Sequence, residues 1–136
     1  MQQPIDGLRP TAPAPLGRLL VEQRISADFV RQGGKGHYAG VTLLVKPFAF
    51  FRYEAEPSAW KNEVERQAYE PRLLQGILDQ LLNFPGSQML GALVVLEATA
   101  SDERSSEFAF YSAGRLAIFR LLSDAQGSAS TWLVTK

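Results

Sequence analysis

The residues best suited to contact a partner form one short, glycine-rich, basic segment. It consists of Gly33, Gly34, Lys35, Gly36 and His37. Apolar and polar residues alternate on both sides of it, over residues 18–31 and 41–47, which predicts a β-hairpin with this segment at its tip. Glycines let another backbone come close, and lysine and histidine can be offered to a partner, so the tip is a candidate contact site. The alternative is an ordinary surface turn.

The composition excludes several classes of function. Lys and Arg number 14, Asp and Glu also number 14, and the formal net charge is therefore zero. The chain lacks the broad positive field of proteins that bind nucleic acid without specificity, so any RNA contact would need a local basic patch. The sequence contains no cysteine, which excludes disulfides, zinc–thiolate sites and thiol nucleophiles.

An enzyme or a metalloprotein is poorly supported by the residues present. His37 is the one histidine of the chain and the one side chain expected to act as a base near neutral pH. No motif places a serine or a carboxylate to complete a catalytic triad with it. We therefore expect no catalytic residue, no metal and no cofactor.

The chain divides into an arm, a domain and a tail. Four prolines within residues 1–17 predict a flexible Pro-rich arm. Residues 18–124 have the length and apolar content of one domain, and residues 125–136 form a C-terminal tail. No apolar run approaches the roughly 20 residues of a membrane span, and the start lacks the layout of a signal peptide, so we expect a cytoplasmic location.

Hydrophobic periodicity predicts the elements of the domain. Strands are predicted over 18–31, 41–47, 51–56 and 91–100, and helices over 69–82 and about 105–123. The order β-β-β-α-β-α predicts an α+β two-layer sandwich, in which two helices cover one face of a four-stranded sheet. Short connections predict an antiparallel meander of the first three strands, and the nearly continuous apolar run of the fourth predicts an interior strand.

Single residues refine the two helices. Pro71 is expected in the first turn of the first helix. Gly76, which costs about 1 kcal/mol relative to alanine inside a helix, predicts a close approach to another element. Asp102 or Ser105 is expected to cap the second helix.

The pattern leaves three points open. Residues 57–70 could form a loop or a short helix, and residues 131–135 could stay loose or dock as a small strand. The exposed third strand, 51–56, could pair with a copy of itself, so a homo-oligomer through an edge strand is one expected arrangement.

Three separated motifs lie on these elements. The hairpin reads Phe-Val-Arg-Gln-Gly-Gly-Lys-Gly-His-Tyr over residues 29–38, followed by Val41 and Pro47. The other two consist of Tyr69, Pro71, Gly76, Ile77, Gln80 and Leu81 on the first helix, and of Asp102, Ser105, Ser106, Glu107, Ala109 and Phe110 at the start of the second. Over residues 19–123 this arrangement resembles domain IV of translation elongation factor G, whose hairpin tip reads Gly-Gly-Arg-Gly-Gln-Tyr.

The resemblance implies a fold and a function. The implied fold is that of the second domain of ribosomal protein S5, with a left-handed β-α-β crossover, opposite to the usual hand. In the family this domain is the distal arm of a five-domain GTPase and enters the decoding centre of the small ribosomal subunit. Two tip loops touch the codon–anticodon region. They correspond here to residues 33–38 and to Ser101, Asp102, Glu103 and Arg104.

These loops suggest a contact surface for RNA. Lys35 and His37, with Arg31 nearby, would contact phosphates, and the glycine amides could approach RNA closely. Tyr38 could stack on a base, its alternative being a core or edge aromatic. Arg104 would add a cation, its alternative being a solvated turn charge.

The sequence departs from the family pattern at several positions. Ser101 aligns with the family's tip histidine, and Arg104 with an acidic residue. The glycine loop is one residue shorter, and residues 57–68 differ strongly. No phosphate-binding loop is present, because Phe29 stands at its first glycine and Gly36 at its Ser/Thr. The chain is thus expected to be a non-catalytic module, either part of a larger factor or a free-standing relative. A protein-interaction module that kept the fold is the alternative.

Overall fold

The computed structural model describes residues 17–19, 22–34, 36–82, 91–127 and 132–134. Its elements in chain order are β1 (Gly17–Leu19), β2 (Gln23–Arg31), β3 (His37–Pro47), β4 (Arg52–Ala55), α1 (Glu63–Leu82), β5 (Ala92–Ala100), α2 (Glu107–Gly127) and β6 (Trp132–Val134).

Four strands form the main sheet, in the order β2-β3-β5-β4. β3 pairs antiparallel with both β2 and β5, whereas β4 pairs with β5 in parallel, so that α1 forms the crossover between them. The predicted α+β architecture, with a four-stranded sheet and two helices, is confirmed. The hand of the crossover stays a prediction.

The predicted antiparallel meander of the first three strands is wrong. β4 does not pair with β3, because β5 lies between them. β5 is apolar nearly throughout, and its Ala92, Val94 and Leu96 are fully buried. Such a strand is stable only between two neighbours, so it takes the interior position that the sequence predicted and leaves β4 at the edge.

The core lies between the sheet and the two helices. Ala39, Val41, Leu43 and Val45 of β3 alternate toward the helices and are buried. Their partners in the same cluster come from every neighbouring element: Ala27, Leu73, Ile77, Leu81, Phe110, Ala113, Ala117, Ile118 and Leu121. On the opposite face Leu44 is half-buried, so the apolar surface of β3 is not confined to the side of the helices.

The strand predicted over residues 18–31 is two strands. β1 pairs antiparallel with β6, with Gly17 opposite Val134, whereas β2 belongs to the main sheet. The segment 131–135, for which the pattern left a small strand open, therefore contains one. The arm ahead of β1 lies outside the described residues.

The first helix begins at Glu63 rather than near Tyr69. Asn62 caps it, because its Oδ1 accepts the backbone N–H of Glu65 at 2.8 Å. Pro71 consequently lies inside the helix, and its expected place in the first turn is wrong. The added turns are polar, and Arg66 holds them together through ion pairs with Glu63 and Glu70.

The two helices cross with their backbones in close contact. A Cβ atom added to Gly76 would clash with the carbonyl oxygen of Tyr111, and one added to Gly114 would lie 2.7 Å from the carbonyl oxygen of Leu73. The close approach expected at Gly76 is therefore present, and its partner is α2. Leu82, the last residue of α1, is 53% exposed.

None of the helices within the described ranges is long and apolar enough to cross a membrane.

Replacing Gly76 with alanine tests this crossing. Alanine favours an isolated helix by about 1 kcal/mol, but here the clash with the Tyr111 carbonyl must push the helices apart. We expect a net loss of about 1–3 kcal/mol in the free energy of unfolding, measured by urea denaturation. The matched control is Gln75→Ala on the exposed side of the same turn, with an expected change within about 0.5 kcal/mol. A Gly76→Ala protein as stable as wild type would contradict the close contact.

Candidate functional site

The glycine segment forms the tip of the β2–β3 hairpin. Arg31 and His37 are the last paired residues, and the N–H of Gly36 donates to the carbonyl of Gly33 at 2.8 Å. Gly33, Gly34 and Gly36 have φ angles of 107°, 55° and 74°, which side chains with a Cβ rarely adopt. Gly33 and Gly34 are exposed. Lys35 lies outside the described residues, so the structure bears on its neighbours alone.

The loop between β5 and α2 is held by its own short hydrogen bonds. Asp102 Oδ1 accepts the N–H of Arg104 at 2.7 Å, and Ser105 Oγ accepts the N–H of Asp102 at 3.0 Å. The side chains of Asp102 and Ser105, the two residues expected to cap α2, therefore accept N–H groups within this turn. The residue that caps α2 is Ser106, whose Oγ accepts the N–H of Ala109 at 3.0 Å, so the expectation of Asp102 or Ser105 as the cap is wrong.

Direct hydrogen bonds join the two loops at one end of the sheet. The N–H of Tyr38 donates to the carbonyl of Arg104 at 3.2 Å, and the Oγ of Ser105 donates to the carbonyl of Tyr38 at 2.8 Å. Nδ1 of His37 lies 3.2 Å from Oγ of Ser106. The two segments named from the sequence are therefore one continuous surface.

Arg104 is bound within this surface. Its Nη2 lies 2.7 Å from Oδ2 of Asp102, and its guanidinium carbon lies 5.3 Å from the centre of the Tyr38 ring. The hydrogen bond from Arg104 lowers the pKa of the Asp102 carboxyl, and the same bond raises the pKa of Arg104. The expected extra cation is thus balanced by a carboxylate two residues away.

Tyr38 is half-buried on the same side of the hairpin as Arg104. Its hydroxyl lies 3.5 Å from Oδ1 of Asp28, and burial raises the pKa of the phenol. Since the Arg104 guanidinium lies against the ring, Tyr38 is placed to hold the second loop on the hairpin, as an edge aromatic does.

Of the remaining predicted contact residues, one is bound within the fold and two are exposed. The Oγ of Ser101 donates to the carboxylate of Glu65 on α1 at 2.9 Å, so this hydroxyl is used within the fold. Glu103 is exposed. Arg31 is also exposed, on the opposite face of the hairpin from Tyr38.

An aromatic cluster lies at this end that the motifs did not predict. Phe108, in the first turn of α2, is 42% exposed. Its ring meets Phe29 and His37 edge-on at centroid distances of 5.7 and 5.2 Å, and the Arg31 guanidinium carbon lies 5.8 Å from its centre. An aromatic residue in the first turn of the second predicted helix was the signal that could have revealed it. We call Arg31, His37 and Phe108 the aromatic face of the tip.

The base of the second loop is anchored to α1. Phe110 is fully buried and stacks on Tyr69 at 4.8 Å, with Trp60 5.2 Å away. The Tyr69 hydroxyl donates to the carbonyl of Ser105 at 3.5 Å. These contacts fix where α2 begins and hence where its preceding loop lies.

The two joined loops bring several different chemical groups to one end of the sheet. Nδ1 of His37 faces the Ser106 hydroxyl, and the same hydroxyl oxygen accepts the N–H of Ala109. Within the described residues no group of three or more His, Cys, Asp or Glu side chains could hold a metal ion. What the site presents is exposed backbone, one aromatic ring and a guanidinium.

Comparison with known proteins finds a similar fold within a longer chain. No protein-family model matches the chain, and no curated protein matches it. Among solved structures, the chain is similar to a crystal structure of a Thermus thermophilus protein, with a TM-score of 0.63 and 18% sequence identity. The match covers 85% of this chain and 18% of that one. This chain thus spans less than a fifth of the protein it matches.

The Asp102–Arg104 pair makes stability dependent on pH. The folded protein holds the Asp102 pKa below its ordinary value of 3.8, so the pair contributes stability above that value and loses it as the pH falls through the lowered pKa. We expect Asp102→Asn to be less stable than wild type at pH 7, with the difference shrinking in acid. Urea denaturation at several pH values measures it.

Glu103→Gln, in the same turn, is the matched control, and its free energy of unfolding at pH 7 should stay within about 0.5 kcal/mol of wild type. A deficit of Asp102→Asn that stays constant down to the most acidic pH would contradict the pairing.

Proposed function

We propose that this domain is a non-catalytic, translation-factor-like module related to domain IV of elongation factor G, which contacts ribosomal RNA or the decoding region through its two tip loops. The observation that carries this proposal is the joining of the loops through Tyr38, Arg104 and Ser105. The resemblance requires both loops at one end of the sheet, and a fold that separated them would have removed the proposal.

The chemistry of the tip suits RNA. Lys35 and Arg31 would contact phosphates, and the exposed backbone of Gly33 and Gly34 leaves room for a sugar–phosphate chain to come close. Phe108 offers a ring on which an unpaired base can stack. Arg104 would act by holding the second loop in place, because its charge is balanced by Asp102.

The structural comparison supports a place within a larger protein. A domain of this fold forms a minor part of the Thermus thermophilus chain. We propose that this chain likewise works as one arm of a larger assembly or factor, with any nucleotide chemistry supplied elsewhere. The cytoplasmic location follows from that role.

A second candidate is a protein-interaction module that kept the fold and lost ribosome binding. The observation that favours it is the Asp102–Arg104 ion pair, which removes one of the cations expected at the tip. Nuclease treatment distinguishes the two candidates: partners retained from a lysate are lost on RNA digestion if the tip binds RNA, and are kept if it binds protein.

Cosedimentation with small ribosomal subunits tests the RNA role. We expect Lys35→Ala combined with Arg31→Ala to weaken binding several-fold at low salt. The slope of log affinity against log salt should fall by about 1 for each phosphate contact removed. The matched control is Lys61→Ala combined with Arg115→Ala, which removes the same charge elsewhere on the exposed surface. Equal binding by the two double variants would remove the tip from the proposal.

A further inference from the structure

β4 ends the order of the main sheet, and among the described residues no strand pairs with its outer side. A groove of about 1180 Å³ lies between β4 and the first half of α1, so the helix does not cover this edge. An open strand edge presents unpaired N–H and C=O groups to any strand that fits it.

The hydrogen bonds to β5 determine which groups point outward. The N–H of Glu56 donates to the carbonyl of Leu96 at 2.9 Å, and Ala55 is the residue in register with Leu96. Since alternate residues of a strand face the same neighbour, Arg52 and Glu54 also direct their N–H and C=O groups toward β5. Tyr53 and Ala55 direct theirs outward, as does Phe51 if the strand is extended by one residue.

We propose that the edge of β4 pairs antiparallel with β4 of a second copy of this chain, about a twofold axis at Tyr53. The outward N–H and C=O groups of the two copies lie opposite each other when the twofold axis passes through Arg52, Tyr53, Glu54 or Ala55. The first choice places Arg52 directly on Arg52. The third forms two Arg52–Glu56 pairs but places Glu54 directly on Glu54 between them. The fourth places Glu54 opposite Glu56 twice.

An axis at Tyr53 places opposite charges, rather than like charges, across the interface. It places Arg52 of each copy directly opposite Glu54 of the other, so that two opposite-charge pairs form across the interface. In the single chain Nε of Arg52 already lies 2.9 Å from Oε2 of Glu54. Pairing closes these four charges into a ring of alternating sign. This self-complementarity favours a second copy over an unrelated strand.

Apolar surface beside the strand fits the same arrangement. Phe48 and Phe50, in the connection that leads into β4, are 39% and 57% exposed, with ring centroids 4.8 Å apart. They lie just before the proposed ladder, where a second copy approaches. The proposed pairing would join two four-stranded sheets into one continuous sheet, and it does not depend on the RNA role of the tip.

Sedimentation equilibrium over a concentration series reaching the millimolar range tests the pairing. We expect the wild-type chain to form dimers. Arg52→Glu alone and Glu54→Arg alone should each raise the dimer dissociation constant about tenfold or more, because each places like charges opposite one another. An equimolar mixture of the two single variants should dimerise again, since every facing pair then has opposite charges. Arg115→Glu, on the exposed surface of α2, is the matched control and should dimerise as wild type does.

A backbone variant tests the edge itself. Ala55→Pro removes an outward N–H and spares the hydrogen bonds to β5, so it should be monomeric. A circular dichroism spectrum and a cooperative unfolding transition like those of wild type verify that it folds. A wild-type chain that stays monomeric throughout the series overturns the proposal. So does a mixture of Arg52→Glu and Glu54→Arg that associates no better than either variant alone.

Discussion

The antiparallel pairing of β3 with β5 determines where both candidate surfaces lie. β3 begins directly after the hairpin tip, and β5 ends directly before the loop of residues 101–106. Their register places Gly40 opposite Ala100, so the two loops must leave the sheet side by side. β5 also separates β3 from β4, so β4 lies at the edge of the sheet, where no described strand pairs with its outer side. The position of β5 between β3 and β4 therefore explains both why the two loops lie together and why β4 lies at the edge of the sheet.

The helices turn this topology into a defined surface. Their backbones meet at Gly76 and Gly114, where no side chain separates them. Phe110, stacked on Tyr69, anchors the first turn of α2 to α1. Ser106 caps that turn, and in the loop ahead of it the carbonyl of Arg104 accepts the N–H of Tyr38. The packing of the core thus reaches the tip through the start of one helix.

The sequence predicts the parts of this structure that depend on local pattern. The sequence shows the alternation along β2 and β3, the apolar run of β5 and the glycine at the helix crossing. Each of these can be predicted because it follows from burial of the residue itself. The strand that pairs with β4 cannot be predicted in this way, because periodicity indicates which face of a strand is buried but not which strand lies beside it. The start of α1 is hidden because residues 63–70 are held by ion pairs of Arg66 rather than by an apolar stripe.

The candidate site divides in the same way. The glycine tip and the second loop could be named from motifs, but two features depend on tertiary geometry. Phe108 becomes part of the tip only because α2 begins beside the hairpin, and Arg104 loses its role as a free cation only because the turn directs it toward Asp102. The candidate contact surface is thus less basic and more aromatic than the sequence suggested.

Amide hydrogen exchange at Tyr38 measures the junction of the two loops most directly. This N–H points away from β2 and is bonded to the carbonyl of Arg104 across the junction. We expect it to exchange at least about 100-fold more slowly than the N–H of Gly34 in the exposed turn. Exchange of the two amides at similar rates would mean that the loops part in solution, and it would contradict the shared surface on which the proposed function depends.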